Sequence, residues 1–282
     1  MYVDCHIHMV LDGEYWKGAI DRFRSGPNEE AVRSTLRTYQ QKGFTYLRDG
    51  GDRWGANAMA KRLAPEYGIT YRTPLANLCM EGHYGSFIGE KCRDLKEYAQ
   101  AVRAHRAAGA DFIKIMISGI MDFDHFGVLS EKGLEPKIIH EMIHIAHEEG
   151  FAVMAHANGS HVVEAAAEAG IDSIEHGAYL HPDVLCAMEE TGAVWVPTLS
   201  AVGNLLGKGR FDDGAVRQIL DSSMKNVKAF YEMGGLLAPG TDAGAWMVHH
   251  GDLTEYHWLQ QALCQDPEQA TAKGVARIRE KF

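Results

Sequence analysis

At 282 residues, with 46% apolar and 23% charged side chains, the chain is long enough for one large domain and too ordinary in composition to be disordered. Its formal net charge of -10 excludes the clustered basic surface that nucleic-acid binding requires. No apolar run approaches the ~20 residues of a membrane span, and Met1 to His6 carries no basic leader. Five scattered cysteines (Cys5, Cys79, Cys92, Cys186, Cys264) without a CxxC pair fit a reducing compartment, so a cytoplasmic location is expected, with no membrane and no nucleic-acid partner.

Eight short apolar runs are legible in chain order: Tyr2 to Ile7, Phe44 to Arg48, Ile69 to Leu78, Phe112 to Ile117, Phe151 to His156, Ser173 to His176, Ala193 to Leu199 and Leu236 to Ala238. Helical patterns lie between them. They include Asp94-Leu95 through Ala108-Gly109, Ser160 through Ala169-Gly170, and His181-Pro182 through Thr191-Gly192, where a glycine just past the last turn supplies the left-handed cap. Strand-helix alternation of this kind implies parallel strands with right-handed crossovers, and eight units of ~30 residues close into a (β/α)8 TIM-like barrel. The expectation is an α/β fold forming a single domain over residues 1–282, with an open doubly wound sheet as the alternative.

In Val3-Asp4-Cys5-His6-Ile7-His8 the period of two puts Asp4, His6 and His8 on one face and Val3, Cys5 and Ile7 on the other. Two imidazoles at i and i+2 suit a borderline metal such as zinc. Active sites of such barrels lie at the C-terminal ends of the strands. There the sequence places His156 at the end of strand 5, His176 at the end of strand 6 and Asp242 after strand 8. Lys114 sits inside strand 4, flanked by Ile113, Ile115 and Ile117, so parity turns the isoleucines toward the helices and the lysine inward. An inward ammonium must be paired with a carboxylate or neutralised. A neutral lysine can also add carbon dioxide and become a carbamate with two metal-binding oxygens.

Together, Asp4-Cys5-His6-Ile7-His8, Ile113-Lys114-Ile115-Met116, Ala155-His156-Ala157-Asn158-Gly159, Ser173-Ile174-Glu175-His176-Gly177 and Gly240-Thr241-Asp242-Ala243-Gly244 resemble the amidohydrolase superfamily, in its binuclear branch with a carboxylated lysine. Within it, Ile174 to Leu180, Val196-Pro197-Thr198-Leu199 and Gly82-His83 are similar to the prolidase-like and Xaa-Arg dipeptidase group, near the imidazolonepropionases. The resemblance implies two divalent metals, with zinc the expected ion. His6 and His8 would hold one, His156 and His176 the other, an N6-carboxylated Lys114 would bridge them, and Asp242 would bind the first and shuttle the proton. It also implies His83 and Tyr179 as groups that engage the carboxylate or carbonyl of a small substrate such as a dipeptide or N-acyl amino acid. Most relatives carry a small β-sandwich built from segments flanking the barrel, whereas here strand 1 begins at Tyr2. The barrel surface it would cover is therefore expected to be buried by homo-oligomer formation.

His140-Glu141-Met142-Ile143-His144 spells the HExxH of zinc proteases. Its helix, however, gathers Ile138, Ile139, Met142, Ile143 and Ala146 on one stripe and leaves His140, Glu141, His144 and His147 on the opposite, solvated face. His125, His249 and His250 are read as loop or rim residues. Two other functions stay open on the residues alone: a mononuclear-metal deaminase, in which Lys114 is structural, and a non-catalytic binding barrel.

Overall fold

The computed structural model describes residues 1–282. The chain opens with β1 (Tyr2–Ile7), α1 (Trp16–Asp21), α2 (Glu29–Gln41), β2 (Phe44–Asp49), α3 (Ala56–Leu63), β3 (Thr70–Arg72), β4 (Asn77–Met80) and β5 (Glu90–Cys92). It continues through α4 (Leu95–Ala108), β6 (Ile113–Met116), α5 (Pro136–Glu148), β7 (Val153–Ala157), α6 (Ser160–Glu168), β8 (Ser173–His176) and α7 (Pro182–Thr191). The last part holds β9 (Val194–Val196), α8 (Ser200–Gly203), α9 (Asp213–Glu232), β10 (Leu236–Leu237), α10 (Thr254–Leu263) and α11 (Pro267–Lys281).

The helix ends follow local chemistry. Asp94 accepts from the Glu97 amide to start α4, and Gly109, at φ 83°, ends it in the left-handed region. Gly192 closes α7 in the same way at φ 71°. In α5 the side chains of Ile139, Met142, Ile143 and Ala146 are buried, while His144 is exposed and His147 reaches outward to Asp172 at 2.9 Å. The HExxH spacing therefore lies on the outer face of a packed helix.

All strand pairs are parallel. They form two sheets, one ordered β1-β2-β3 and the other β10-β9-β8-β7-β6-β4-β5. The run Ile69 to Leu78, read from sequence as one strand, is two. Pro74 lacks the N–H a ladder needs, Leu75 takes φ 68°, and the chain turns there from β3 in one sheet to β4 in the other. β5 was not foreseen, so ten strands stand where eight were expected, and the hydrogen-bonded ladder does not run unbroken around the molecule. At one junction the edges are nevertheless joined by single bonds, from Cys5 N to Pro239 O (2.9 Å), Asp242 N to His6 O (2.8 Å) and His8 N to Ala243 O (2.7 Å).

Parity holds on β6: Ile113, Ile115 and Ile117 pack into the large core shared with the helices, and Lys114 turns the other way. It holds only in part on β1. Register shifts interrupt its pairing with β2, so Ile7 packs against Val32, Leu36 and Tyr39 while Val3 and Cys5 join Phe112, Met154, Val194 and Val196 in a separate cluster. Phe282 packs into that cluster, with its ring 5.2 Å from Phe112 and 4.5 Å from the Arg48 guanidinium.

Arg48 and Glu175 are both fully buried and meet at 2.8 Å. Truncation of one member of such a pair leaves the other charge stranded, at a cost of about 3–5 kcal/mol. Arg48→Met should therefore lower Tm by roughly 10 °C in a thermal scan, and an unchanged Tm would show that the pair adds nothing to stability. Glu255, at the start of α10, accepts from the amide and hydroxyl of Ser200, both at 2.8 Å, yet burial dominates and pushes its carboxyl up to about 8. Between its ordinary value of 4.5 and that value the unfolded chain gives up the proton while the folded chain keeps it. Stability from this group is thus full below about pH 4.5 and lost as pH rises toward 8. Glu255→Gln should flatten that part of the stability profile in urea titrations at pH 5 and pH 8.5; a slope equal to the parent's would place its origin elsewhere.

Candidate functional site

A cavity of about 770 Å³ opens where the strands end, and its wall includes His6, His8, Lys114, His156, His176 and Asp242. The six come from β1 and the residue just past it, β6, β7, β8 and the segment after β10, so no short stretch of chain holds the site. Close backbone approach makes room for them. A side chain at Gly50 would lie 2.4 Å from His8 Cε1, and one at Gly240 would lie 2.9 Å from the backbone and Cβ of His6. His176 and Asp242 take φ values of 68° and 60°, a region unfavourable to residues with a Cβ. Tertiary bonds hold them there. The Gly177 amide donates to Ala157 O, and the Asp242 amide to His6 O. The buried Asp4 carboxylate takes both the amide (2.9 Å) and the hydroxyl (2.6 Å) of Thr241.

Each of three imidazoles has one nitrogen engaged. Glu175, a carboxylate, can only accept, so His6 Nδ1 at 2.6 Å carries the proton and Nε2 keeps its lone pair. The Gly119 carbonyl likewise accepts from His156 Nε2 (3.1 Å), leaving Nδ1. Thr198 Oγ1 meets His176 Nδ1 at 2.7 Å, leaving Nε2. Asp242 Oδ1 lies 3.6 Å from His6 Nε2 and 3.3 Å from His8 Nε2, and the three side chains can offer ligand atoms within 4.8 Å of one another. The rings of His156 and His176 lie 4.5 Å apart. Such a set could hold a divalent metal, with the outer nitrogens engaged by neighbouring groups as they are in metal-binding histidines.

The charges agree with that reading. Burial, reinforced by Lys114, lowers His6 to about 4 and His156 to about 3, and burial with the neighbouring histidines lowers His176 well below the ordinary value, so all three are neutral near pH 7. Burial also lowers Lys114 to about 8, and its Nζ has no hydrogen-bond partner. For Asp242 burial would raise the carboxyl, but the His8 bond and the charges of His6, His8 and Lys114 outweigh it and hold it below the ordinary value.

His83 and Tyr179 are not brought to this wall. His83 is 3.4 Å from Glu131, and the Tyr179 ring lies against Phe126 at 5.4 Å. The neighbouring Tyr84 lines the cavity instead, with its ring 4.9 Å from that of His156. Sequence reasoning missed Arg48 and Glu175, although a charge inside an apolar strand, as in Tyr46-Leu47-Arg48 and Ser173-Ile174-Glu175, was the available signal. It also missed Arg210, Phe211 and Trp246, which lie on irregular segments and reach the cavity only through the fold.

Among known proteins, the chain is similar to the ochratoxinase of Aspergillus niger, with 24% identity over 94% of this chain. The chain spans only 63% of the length of that curated relative. In structure it superposes on a Xaa-Pro dipeptidase solved with methionine in its active site (TM-score 0.80, 20% identity, 99% of this chain and 75% of that one). It superposes similarly on the A. niger ochratoxinase (TM-score 0.80, 21% identity, 99% and 70%) and on a prolidase complexed with N-methylphosphonate-L-proline (TM-score 0.79, 21% identity, 98% and 74%). These likenesses show a shared fold, the TIM-barrel type of α/β architecture. The sequence model of the amidohydrolase family matches residues 2–273, nearly the whole chain, and the chain belongs to that family.

Proposed function

We propose that the chain is a metal-dependent hydrolase that cleaves an amide bond in a small carboxylate-bearing substrate such as a dipeptide or N-acyl amino acid. The observation that carries this reading is the convergence of four imidazoles, one carboxylate and one unpartnered lysine on a single cavity wall. His6, His8 and Asp242 would hold one divalent ion and His156 and His176 a second, with zinc the expected metal. A neutral Lys114 amine could form an N–C bond to carbon dioxide with loss of one proton, and the resulting carbamate would add two oxygen donors to this set. When bound, the ions supply Lewis acidity at the scissile carbonyl and a water acidic enough to be deprotonated near neutrality.

The protein's own groups do the rest. Asp242 Oδ accepts the proton of the attacking water and passes it to the leaving amine. Glu175 and Thr198 hold the rings of His6 and His176 in one orientation, and Asp4, through Thr241, fixes the segment that carries Asp242. The bonds from β1 to the segment after β10 support a working barrel of eight strand positions with the site at its mouth. His83 and Tyr179, outside the lining, would act on the substrate's carboxylate only after a rearrangement of their loops.

A mononuclear deaminase is the second reading, favoured by one fact: only His6, His8 and Asp242 lie close enough to hold an ion as they stand. Metal analysis separates the two. Reconstituted protein should saturate at two divalent ions per chain, and activity regained after metal removal should require bicarbonate. Saturation at one ion, or equal recovery in carbon-dioxide-free buffer, would favour the deaminase or remove the carbamate. Asp242→Asn should keep much of the metal yet lose ~10²- to 10⁴-fold in turnover, as expected for a general acid-base group; near-parental kcat would end its proposed role in proton transfer.

A further inference from the structure

The cavity is larger than a metal centre needs, and much of the remaining wall is aromatic. On one side rings step inward from the rim, Trp16 to Phe87 at 5.5 Å, Phe87 to Tyr84 at 5.8 Å, and Tyr84 to His156 at 4.9 Å. The same cavity is also lined by Phe211 and Trp246, whose rings meet at 6.0 Å, and the Arg210 guanidinium lies over both, at 5.2 Å and 4.4 Å. Trp246 belongs to the same segment as Asp242, so the cation is built onto the part of the chain that carries a reacting group.

Stacking uses the faces of a guanidinium and leaves its in-plane fork of N–H donors free, and it holds the side chain still, so little freedom is lost when an anion binds. No carboxylate of the protein pairs with Arg210. Asp122, a carboxylate on the same wall, is engaged by His125 at 3.0 Å and by the Asp124 amide. Lys17, the other cation at the rim, lies over Trp16 at 5.3 Å but has neither the fork nor a second ring to hold it.

We propose that Arg210 is the residue that reads the substrate's carboxylate, and that the Trp16, Phe87 and Tyr84 wall selects an aromatic side chain beside it. The substrates are then dipeptides and N-acyl amino acids whose C-terminal residue is aromatic. This specificity rests on the amide-hydrolase reading for its chemistry, but the subsite itself is a binding property and can be measured without turnover.

The test is calorimetric titration of the full chain with 3-phenylpropionate, 3-phenylpropionamide and propionate, alongside initial rates on N-acetylphenylalanine, its amide and N-acetylalanine. The parent should bind 3-phenylpropionate more tightly than either control. Arg210→Ala should weaken that binding by about 10-fold or more, as loss of a charge-assisted hydrogen bond does, raise KM for N-acetylphenylalanine and leave kcat nearly unchanged. Arg210→Lys should recover only part of the loss, because a point charge cannot replace the fork. Equal binding of the acid and the amide by the parent, or unchanged binding by Arg210→Ala, would overturn the proposal. So would the same loss appearing instead in His83→Ala or Tyr179→Phe. If the acid binds as expected but no amide is cleaved, the subsite stands and the hydrolase reading falls.

Discussion

A single buried guanidinium organises the polar interior. Arg48 donates to Cys5 O at 2.7 Å, Ser173 Oγ at 3.0 Å and Glu175 Oε1 at 2.8 Å, so one cation ties β1, β2 and β8 together across the two sheets. Burial alone would push the Glu175 carboxyl upward. Arg48 first, and the His6 bond next, hold it well below the usual carboxylate range. Only an ionised Glu175 is an obligate acceptor, and only then is His6 forced into the tautomer that leaves Nε2 free toward the cavity. The state of a residue on the cavity wall is thus set by a charge two contacts deeper.

The same logic runs through the rest of the wall, where each converging group is aimed by something from a different part of the chain. Thr198, after β9, orients His176, and Gly119, after β6, orients His156. Asp4 in β1 grips Thr241 and so steadies a backbone that holds Asp242 at positive φ. Conformations that cost free energy locally persist because bonds from neighbouring strands outweigh that cost. Burial then does double duty: it removes the proton from the imidazoles and brings the Lys114 amine closer to neutrality, which no exposed arrangement of the same residues would do.

The titratable cluster and the aromatic wall with Arg210 come from different kinds of chain segment. The titratable cluster lies on or just beyond strands β1, β6, β7 and β8 and on the segment after β10, whereas the aromatic residues and Arg210 come from α1, the segment after β4, the segment before α9 and the segment after Asp242. A scaffold that fixes the reacting groups while irregular segments vary the lining is the usual division of labour in folds of this type.

Much of this was legible in the sequence, because periodicity and local chemistry report what a residue does with its immediate neighbours. The α/β alternation, the glycine-capped helices, the outward HExxH face of α5, the inward turn of Lys114 and the six side chains that meet at the cavity all follow from spacing and from the motifs. The split of Ile69 to Leu78 around Pro74 was signalled by the proline but not its consequence, since which sheet each half joins depends on partners distant in sequence. The β1 register shifts, the Arg48–Glu175 pair, the exclusion of His83 and Tyr179 from the cavity lining and the arrival of Arg210 on Trp246 were decided by the tertiary structure alone. Strand parity and motif spacing fix which way a side chain points relative to its own backbone; which charge neutralises another and which ring covers a cation depend on contacts the fold makes between separate segments, such as Arg48 and Glu175, 127 positions apart, and no local pattern encodes those.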